Sequence, residues 1–159
     1  MRRSDREITA PDKKLEILQR CHVVRLGLCD DGRPYVVPLN FGVRAGANGT
    51  ALYFHCAVSG RKLDIIRQNP QVCFEADRLL RVVEADKACD WTAKYESVIG
   101  EGRAVIVEDP AEKFEGLLCI LRHYGYDGGP EFAPAIVART AVVRVDVESI
   151  SAKSNETDR

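Results

Sequence analysis

No apolar run in this chain approaches the roughly 20 residues that a membrane-spanning helix requires. The basic start, Met1-Arg2-Arg3-Ser4-Asp5-Arg6-Glu7, has no apolar stretch behind it of the kind a secretory leader carries. Both absences lead to the expectation of a cytoplasmic protein with no membrane partner. An excess of charge of either sign is also missing: 23 Lys and Arg face 24 Asp and Glu, for a net charge of −1. General attraction to nucleic acid is therefore excluded, and any charged site must be local. Cysteine is present at 21, 29, 56, 73, 89 and 119, but never as a C-x-x-C pair. That spacing argues against a disulfide framework and against a metal site. All but Cys89 fall among apolar neighbours, where a free thiol behaves as a small hydrophobe. The chain has no Ser/His/Asp arrangement, His-rich cluster, H-E-x-x-H, Walker loop or G-x-G-x-x-G. With no strong nucleophile in hand, an enzyme of this sequence would leave the hard chemistry to a cofactor.

What is present reads as one domain over residues 1–150, followed by a polar tail, 151–159, expected to fray. Thr9-Ala10-Pro11-Asp12 matches a capping box and predicts a helix over 10–20 with Leu15, Leu18 and Cys21 on one face. Val24, Leu26 and Leu28 alternate, Asp30-Asp31-Gly32 supplies a turn, and the chain returns over 35–41 as a hairpin. Pro38 cannot donate to a ladder and places that strand at an edge or a bulge. Gly46-Ala47-Asn48-Gly49 turns into a strand over 51–56. A helix opened by Ser59 carries Leu63 and Ile66 inward and stops at Asn69-Pro70. Strands follow over 71–76 and 95–107, with 78–92 a loop holding some strand and Gly100 and Gly102 as bends. Asp109-Pro110-Ala111-Glu112 opens a third helix reaching to Tyr124 and burying Phe114, Leu117, Leu118 and Leu121. Residues 125–134 form a Gly/Pro-rich loop, and 139–150 a last strand. Six strands with few crossover helices favour an antiparallel sheet or barrel, mainly β in class, flanked by short helices.

Ser59-Gly60-Arg61-Lys62 is the most informative segment. A helix start offers unpaired N–H groups and the positive end of the macrodipole. Two cations there are unfavourable by up to about 1 kcal/mol each unless an anion joins them. Gly60 allows close approach to the backbone, and a phosphate is the natural guest. On the preceding strand, Tyr53, His55 and Ala57 share one face, with Leu52, Phe54 and Cys56 on the other. His55 reads either as a satisfied structural residue or as a ligand contact near the anion site. His22 and His123 read as structural.

Five segments in order carry a resemblance: residues 34–41, 52–57, 60–64, 72–75 and 94–102. Together they are similar to the nitroimidazole-resistance (Nim) branch of the pyridoxamine 5′-phosphate oxidase-like flavoproteins, over residues 2–153. The resemblance implies a split β-barrel that forms a homodimer, with an FMN at each of two subunit interfaces. It places the FMN phosphate on Ser59, Arg61 and Lys62, beside Gly60. The backbone of Val37-Pro38-Leu39-Asn40 would follow the isoalloxazine edge. Ser97 and Val98 align with a segment that touches the flavin in the oxidases, where Ser97 replaces a glutamine. His55 matches the histidine that the Nim branch holds near the ring, as the one candidate catalytic residue.

The implied function is FMN-dependent oxidoreduction, from a reduced nicotinamide to a small acceptor such as the nitro group of a 5-nitroimidazole. The alternatives are a flavin carrier or sensor without turnover, a haem protein of the same barrel with His55 or His123 as axial ligand, and a deazaflavin protein. The substrate-recognition Arg and His of the oxidases have no match after Arg144, which argues against pyridoxamine phosphate as substrate.

Overall fold

The computed structural model describes residues 3–47 and 49–156. After a single turn at Ser4–Arg6 come β1 (Glu7–Ile8), α1 (Pro11–Arg20), β2 (Val24–Asp30), β3 (Arg33–Leu39), β4 (Phe41–Gly46) and β5 (Gly49–Ala57). The second half holds α2 (Arg61–Gln68), β6 (Gln71–Val83), β7 (Thr92–Ile106), α3 (Pro110–His123), α4 (Pro134–Ala138) and β8 (Thr140–Ser154). The strands form one sheet in the order β3-β2-β6-β7-β8-β5-β4, with β1 added on β8 and every pair antiparallel.

Alternation along the strands builds the interior. Val24, Leu26 and Leu28 of β2, Phe74 and Ala76 of β6, Val98 of β7 and Val143 and Val145 of β8 all point inward and are buried. Leu63, Ile65 and Ile66 from α2 and Ile17 and Leu18 from α1 complete that cluster. A second, smaller layer lies on the other face of β5 and β8. There Ala51, Tyr53 and Val142 pack under Val107 and Ile120, beneath α3. β5 and β8 thus have apolar side chains on both faces, and their alternate residues belong to different layers.

Ion pairs tie the helices down. Glu96, only 6% exposed, accepts from Arg20 of α1 at 3.0 and 3.1 Å and from Arg78 of β6 at 3.2 Å. The Tyr53 hydroxyl donates to Glu112 at 3.2 Å, and Arg144 pairs with the same carboxylate, joining β5, β8 and α3. Burial pushes the Tyr53 phenol up to about 12.

The expected hairpin, the edge position of Pro38, the helix stop at Asn69 and the Asp109 cap are all present. The Asp109 carboxylate accepts the Glu112 N–H at 2.7 Å. Other expectations are corrected. Among the described residues there are eight strands, not six, because the segment 35–41 belongs to two strands: β3 ends at Leu39, and β4 begins at Phe41 at the opposite end of the sheet order. β1 is the other addition. β6 continues to Val83 because β7 from Thr92 pairs with it past a bulge between Leu79 and Arg81. The tail does not fray at 151: β8 runs to Ser154, and Ala152 is buried between Ile8 and Val98. Residues 157–159, like the Asn48 turn position and Met1-Arg2, lie outside the described residues.

Neither Thr9 nor Ser59 caps a helix; Ala10 and Gly60 hold those positions with no side-chain cap bond. Phe114 is 41% exposed rather than buried, and packs edge-on against Phe132 at 5.3 Å between centroids. Cys29 and Cys73 are exposed on the outer face of the barrel, whereas Cys21 is buried and Cys56 and Cys119 are half-buried. Among the described residues no helix is long and apolar enough to cross a membrane.

Gly116 sets how closely α3 approaches the sheet. A Cβ there would meet Tyr53 Cδ1 at 2.7 Å and Val142 Cγ1 at 2.8 Å. Alanine gains up to about 1 kcal/mol of helix propensity over glycine, but overpacking a core contact costs about 1–3 kcal/mol. Both neighbours are buried on β strands and cannot swing away. Gly116→Ala should therefore lower the unfolding free energy by about 1–2 kcal/mol in urea denaturation. A more stable variant would show that α3 rests only loosely on the sheet.

Candidate functional site

The site begins where β5 leaves the sheet. The last register pair of β5 with β8 is Ala57 with Thr140. Val58 and Ser59 are exposed, and Gly60 takes φ 143° before α2 starts at Arg61. That φ favours glycine, and a Cβ at Gly60 would face open space. The first turn of α2 has no side-chain cap; Leu63 and Asp64 N–H groups share the Gly60 carbonyl at 2.9 and 3.3 Å.

Arg61 is held in place. Its Nε and Nη2 donate to Asp30 Oδ2 at 3.1 and 2.9 Å, and its guanidinium lies 4.5 Å from the centroid of the Tyr35 ring. The helix start is thereby fastened to the β2–β3 hairpin. Both Asp30 bonds use one edge of the guanidinium, so the Nη1 group retains its donors. Lys62 and the Ser59 hydroxyl have no hydrogen-bond or ion-pair partner among the described residues. Lys62 lies close enough to Cys56 to offset part of the rise that burial imposes on that thiol.

This donor set fits a phosphate. It combines a free ammonium, a hydroxyl, an uncapped helix start and an arginine with one edge spare. The Arg61–Asp30 pair is 57% and 33% exposed and is worth at most about 1 kcal/mol. Hydrogen bonds to a charged guest contribute about 1.5–3 kcal/mol each, so the pair does not block an incoming anion.

His55 is exposed and rims a cavity of about 220 Å³ lined by Leu117, Leu121, Phe132, Ile136 and Thr140. The strand alternation is as expected, with one consequence for the site. His55 opens toward α3, whereas Cys56 packs against the main core on the other face of β5. His123 is structural: it is half-buried, its Nε2 lies 2.7 Å from the Cys21 carbonyl, and its ring packs 4.4 Å from Phe41. His22 stacks at 6.3 Å on Tyr124.

On β3, Val37 and Leu39 face the interior, while Val36, Pro38 and Asn40 face outward along an edge with one unpaired side. The Phe41–Phe54 pair of β4 and β5 leaves Asn40 at the level of His55. The start of α2 meets the β2–β3 hairpin at Asp30 and Tyr35, while Asn40, at the other end of β3, stands level with His55. Ser97 and Val98 do not join them. Pro38 pairs with Arg25, Arg25 with Glu75, and Glu75 with Ile99, so β7 lies three strand spacings from the edge. Ser97 is half-buried on the outer face, while the Val98 side chain is wholly buried between Ala76 and Ala152. Among the described residues no group of three or more His, Cys, Asp or Glu side chains could hold a metal ion.

Asp30 and Tyr35, which position Arg61, were not singled out in the sequence. Asp30-Asp31-Gly32 reads only as turn chemistry. Of the cavity wall, Phe132 falls in the Gly/Pro-rich stretch 125–134 that reads as loop and Thr140 in the last strand, while Ile136 belongs to the short helix α4, which no sequence signal marked.

An antiparallel barrel with flanking helices and an anion-ready helix start defines the split-barrel class. A family model for pyridoxamine 5′-phosphate oxidase matches residues 11–154, and the chain belongs to that family. Among similar solved structures is a proposed 5-nitroimidazole antibiotic resistance protein from Bacteroides thetaiotaomicron. It is 28% identical, with a TM-score of 0.79 over 93% of this chain and 86% of that one. A flavocytochrome from Azotobacter vinelandii is 22% identical, with a TM-score of 0.79 over 98% and 72%. An FAD- and haem-binding protein from Mycobacterium smegmatis is 18% identical, with a TM-score of 0.76 over 95% and 74%. The last two share the fold alone. No curated protein matches the chain.

Proposed function

We propose that this chain is an FMN-dependent oxidoreductase that takes electrons from a reduced nicotinamide and delivers them to a small acceptor such as a nitro compound. The observation that carries the reading is the uncapped start of α2, where Ser59, Lys62 and a positioned Arg61 surround Gly60; among the described residues only Asp30 pairs with any of them, Asp64 of the same turn being paired with Arg67. Family membership and the likeness to the Bacteroides protein support it.

FMN, when bound, supplies the two-electron chemistry that no side chain of this sequence can perform. The protein's part is to hold and orient. Lys62, the Ser59 hydroxyl, the spare edge of Arg61 and the α2 N–H groups bind the phosphate. The outward edge of β3, with Pro38 lacking an N–H and Asn40 beside His55, offers backbone groups to the ring. His55, at the mouth of an apolar cavity, orients the acceptor and gives it a proton from its ring N–H.

The working unit in this proposal is a homodimer. Two features support it. Val36 and Ile99 are 61% and 51% exposed on the outer face of the barrel, apolar side chains on either side of the Arg25–Glu75 pair that a second copy would cover. Ser97 is too far from the β3 edge of its own chain to share a ligand with it, so a second chain would supply that contact.

Purified protein should show two flavin absorption bands; a Soret band in their place would establish a haem protein. Arg61→Ala with Lys62→Ala should abolish copurifying flavin and leave the circular dichroism unchanged. Full flavin occupancy in that double variant would overturn the phosphate assignment. His55→Ala should retain flavin and lower acceptor turnover at least about 100-fold in steady-state assays, the lower end for loss of a proton donor. Unchanged turnover would make His55 a bystander.

A further inference from the structure

A second anion site stands out from the pairing of the arginines. Eight of the described arginines pair with carboxylates: Arg3, Arg20, Arg25, Arg61, Arg67, Arg78, Arg81 and Arg144. Arg6 donates to Tyr95 and Arg139 to the Ala135 carbonyl. The four left without a side-chain hydrogen bond or ion pair are Arg33, Arg44, Arg103 and Arg122. Two of these four, Arg44 and Arg122, open onto one cavity of about 510 Å³ between β4 and α3. Its size falls within the roughly 300–1,000 Å³ of small-molecule sites.

The cavity has a fixed floor. Gly42 of β4 lies against the α3 backbone so closely that a Cβ would meet the Cys119 carbonyl carbon and oxygen at 2.5 Å. Tyr53, buried and hydrogen-bonded to Glu112, carries the Arg44 guanidinium over its ring at 5.0 Å. Glu115, Cys119 and Arg122 follow at i, i+4 and i+7 on α3 and present one helical face to the opening. Both guanidiniums act on Cys119, offsetting part of the rise that burial gives its thiol. Arg44 from β4 and Arg122 from α3 thus face one cavity from two elements. Glu115 lies within 4 Å of neither, so the pair keeps a surplus of positive charge, and Gln19 adds an amide at the rim. Stacking on Tyr53 lowers the entropy that Arg44 loses when it grips a ligand.

We infer that this cavity binds a small organic anion, whose carboxylate or phosphate group is held between Arg44 and Arg122 over Cys119. The site shares no residue with the helix start at Ser59–Lys62 or with the His55 cavity, and it does not depend on the flavin reading.

The test is titration of the full-length protein with succinate and, separately, with inorganic phosphate, followed by NMR of the arginine side-chain N–H groups. Saturable shifts at Arg44 and Arg122 are expected. Saturation by succinate alone assigns a carboxylate ligand, and by phosphate alone a phosphate ester; either supports the site. Arg44→Gln and Arg122→Gln should each weaken binding at least tenfold, while Arg33→Gln and Arg103→Gln, which remove equally unpaired charges elsewhere, should not. Arg44→Lys keeps the charge without the planar fork and should lie between. Melting temperature and copurifying flavin should be the same in all five variants, so failure here would leave the proposed activity untouched. No saturation with either anion, or equal losses in the Arg33 and Arg103 variants, would overturn the inference.

Discussion

The antiparallel ladder between β5 and β8, from Ala51–Asp146 to Ala57–Thr140, is the constraint on which the site depends. A one-residue slip in that register would turn every side chain of β5 to the other face. Burial forbids it: Leu52 and Phe54 are needed inside the barrel, and Tyr53 is needed under α3. With both faces committed, His55 must open toward α3 and Cys56 toward the barrel side. The chain then leaves the sheet at Ala57 with a fixed heading, and Ser59–Lys62 is delivered to the β2–β3 hairpin. The position of the phosphate cradle is thus a consequence of core packing several residues away.

Electrostatics completes what packing begins. Asp30 and Tyr35 fix the Arg61 guanidinium by a shared edge and a stacked face, which removes most of the rotamer freedom a free arginine would lose on binding. The pair is too exposed to stabilise the fold appreciably. Its effect is on geometry. Glu96 does the opposite work: nearly buried and held by Arg20 and Arg78, it anchors α1 to the barrel.

Much of this was legible in the residues. Alternation at Val24-Leu26-Leu28, the Asp109 cap and the Asn69-Pro70 stop are local signals, and the structure places them as expected. What local signals could not reveal was longer range. Residues 35–41 look like one strand because nothing in them marks a transfer from one end of the sheet to the other; that is settled by pairing partners far along the chain. The same applies to Ser151–Ser154, polar in sequence but held by β1 and β7. For the site, Ser59–Lys62 is readable because helix starts carry a known physical chemistry. Asp30, a turn residue by composition, becomes an arginine anchor only once the barrel brings hairpin and helix together. Arg44 and Arg122 lie 78 positions apart, and only the contact between β4 and α3 makes them neighbours.

The central claim is that the start of α2 recognises a phosphate. Comparing the affinities of the apoprotein for FMN and for riboflavin, which differ only in that group, tests it most directly. Two or more charge-assisted hydrogen bonds at about 1.5–3 kcal/mol each predict at least about 100-fold tighter binding of FMN. That preference should shrink as salt is raised. Equal affinity for the two flavins would contradict the account.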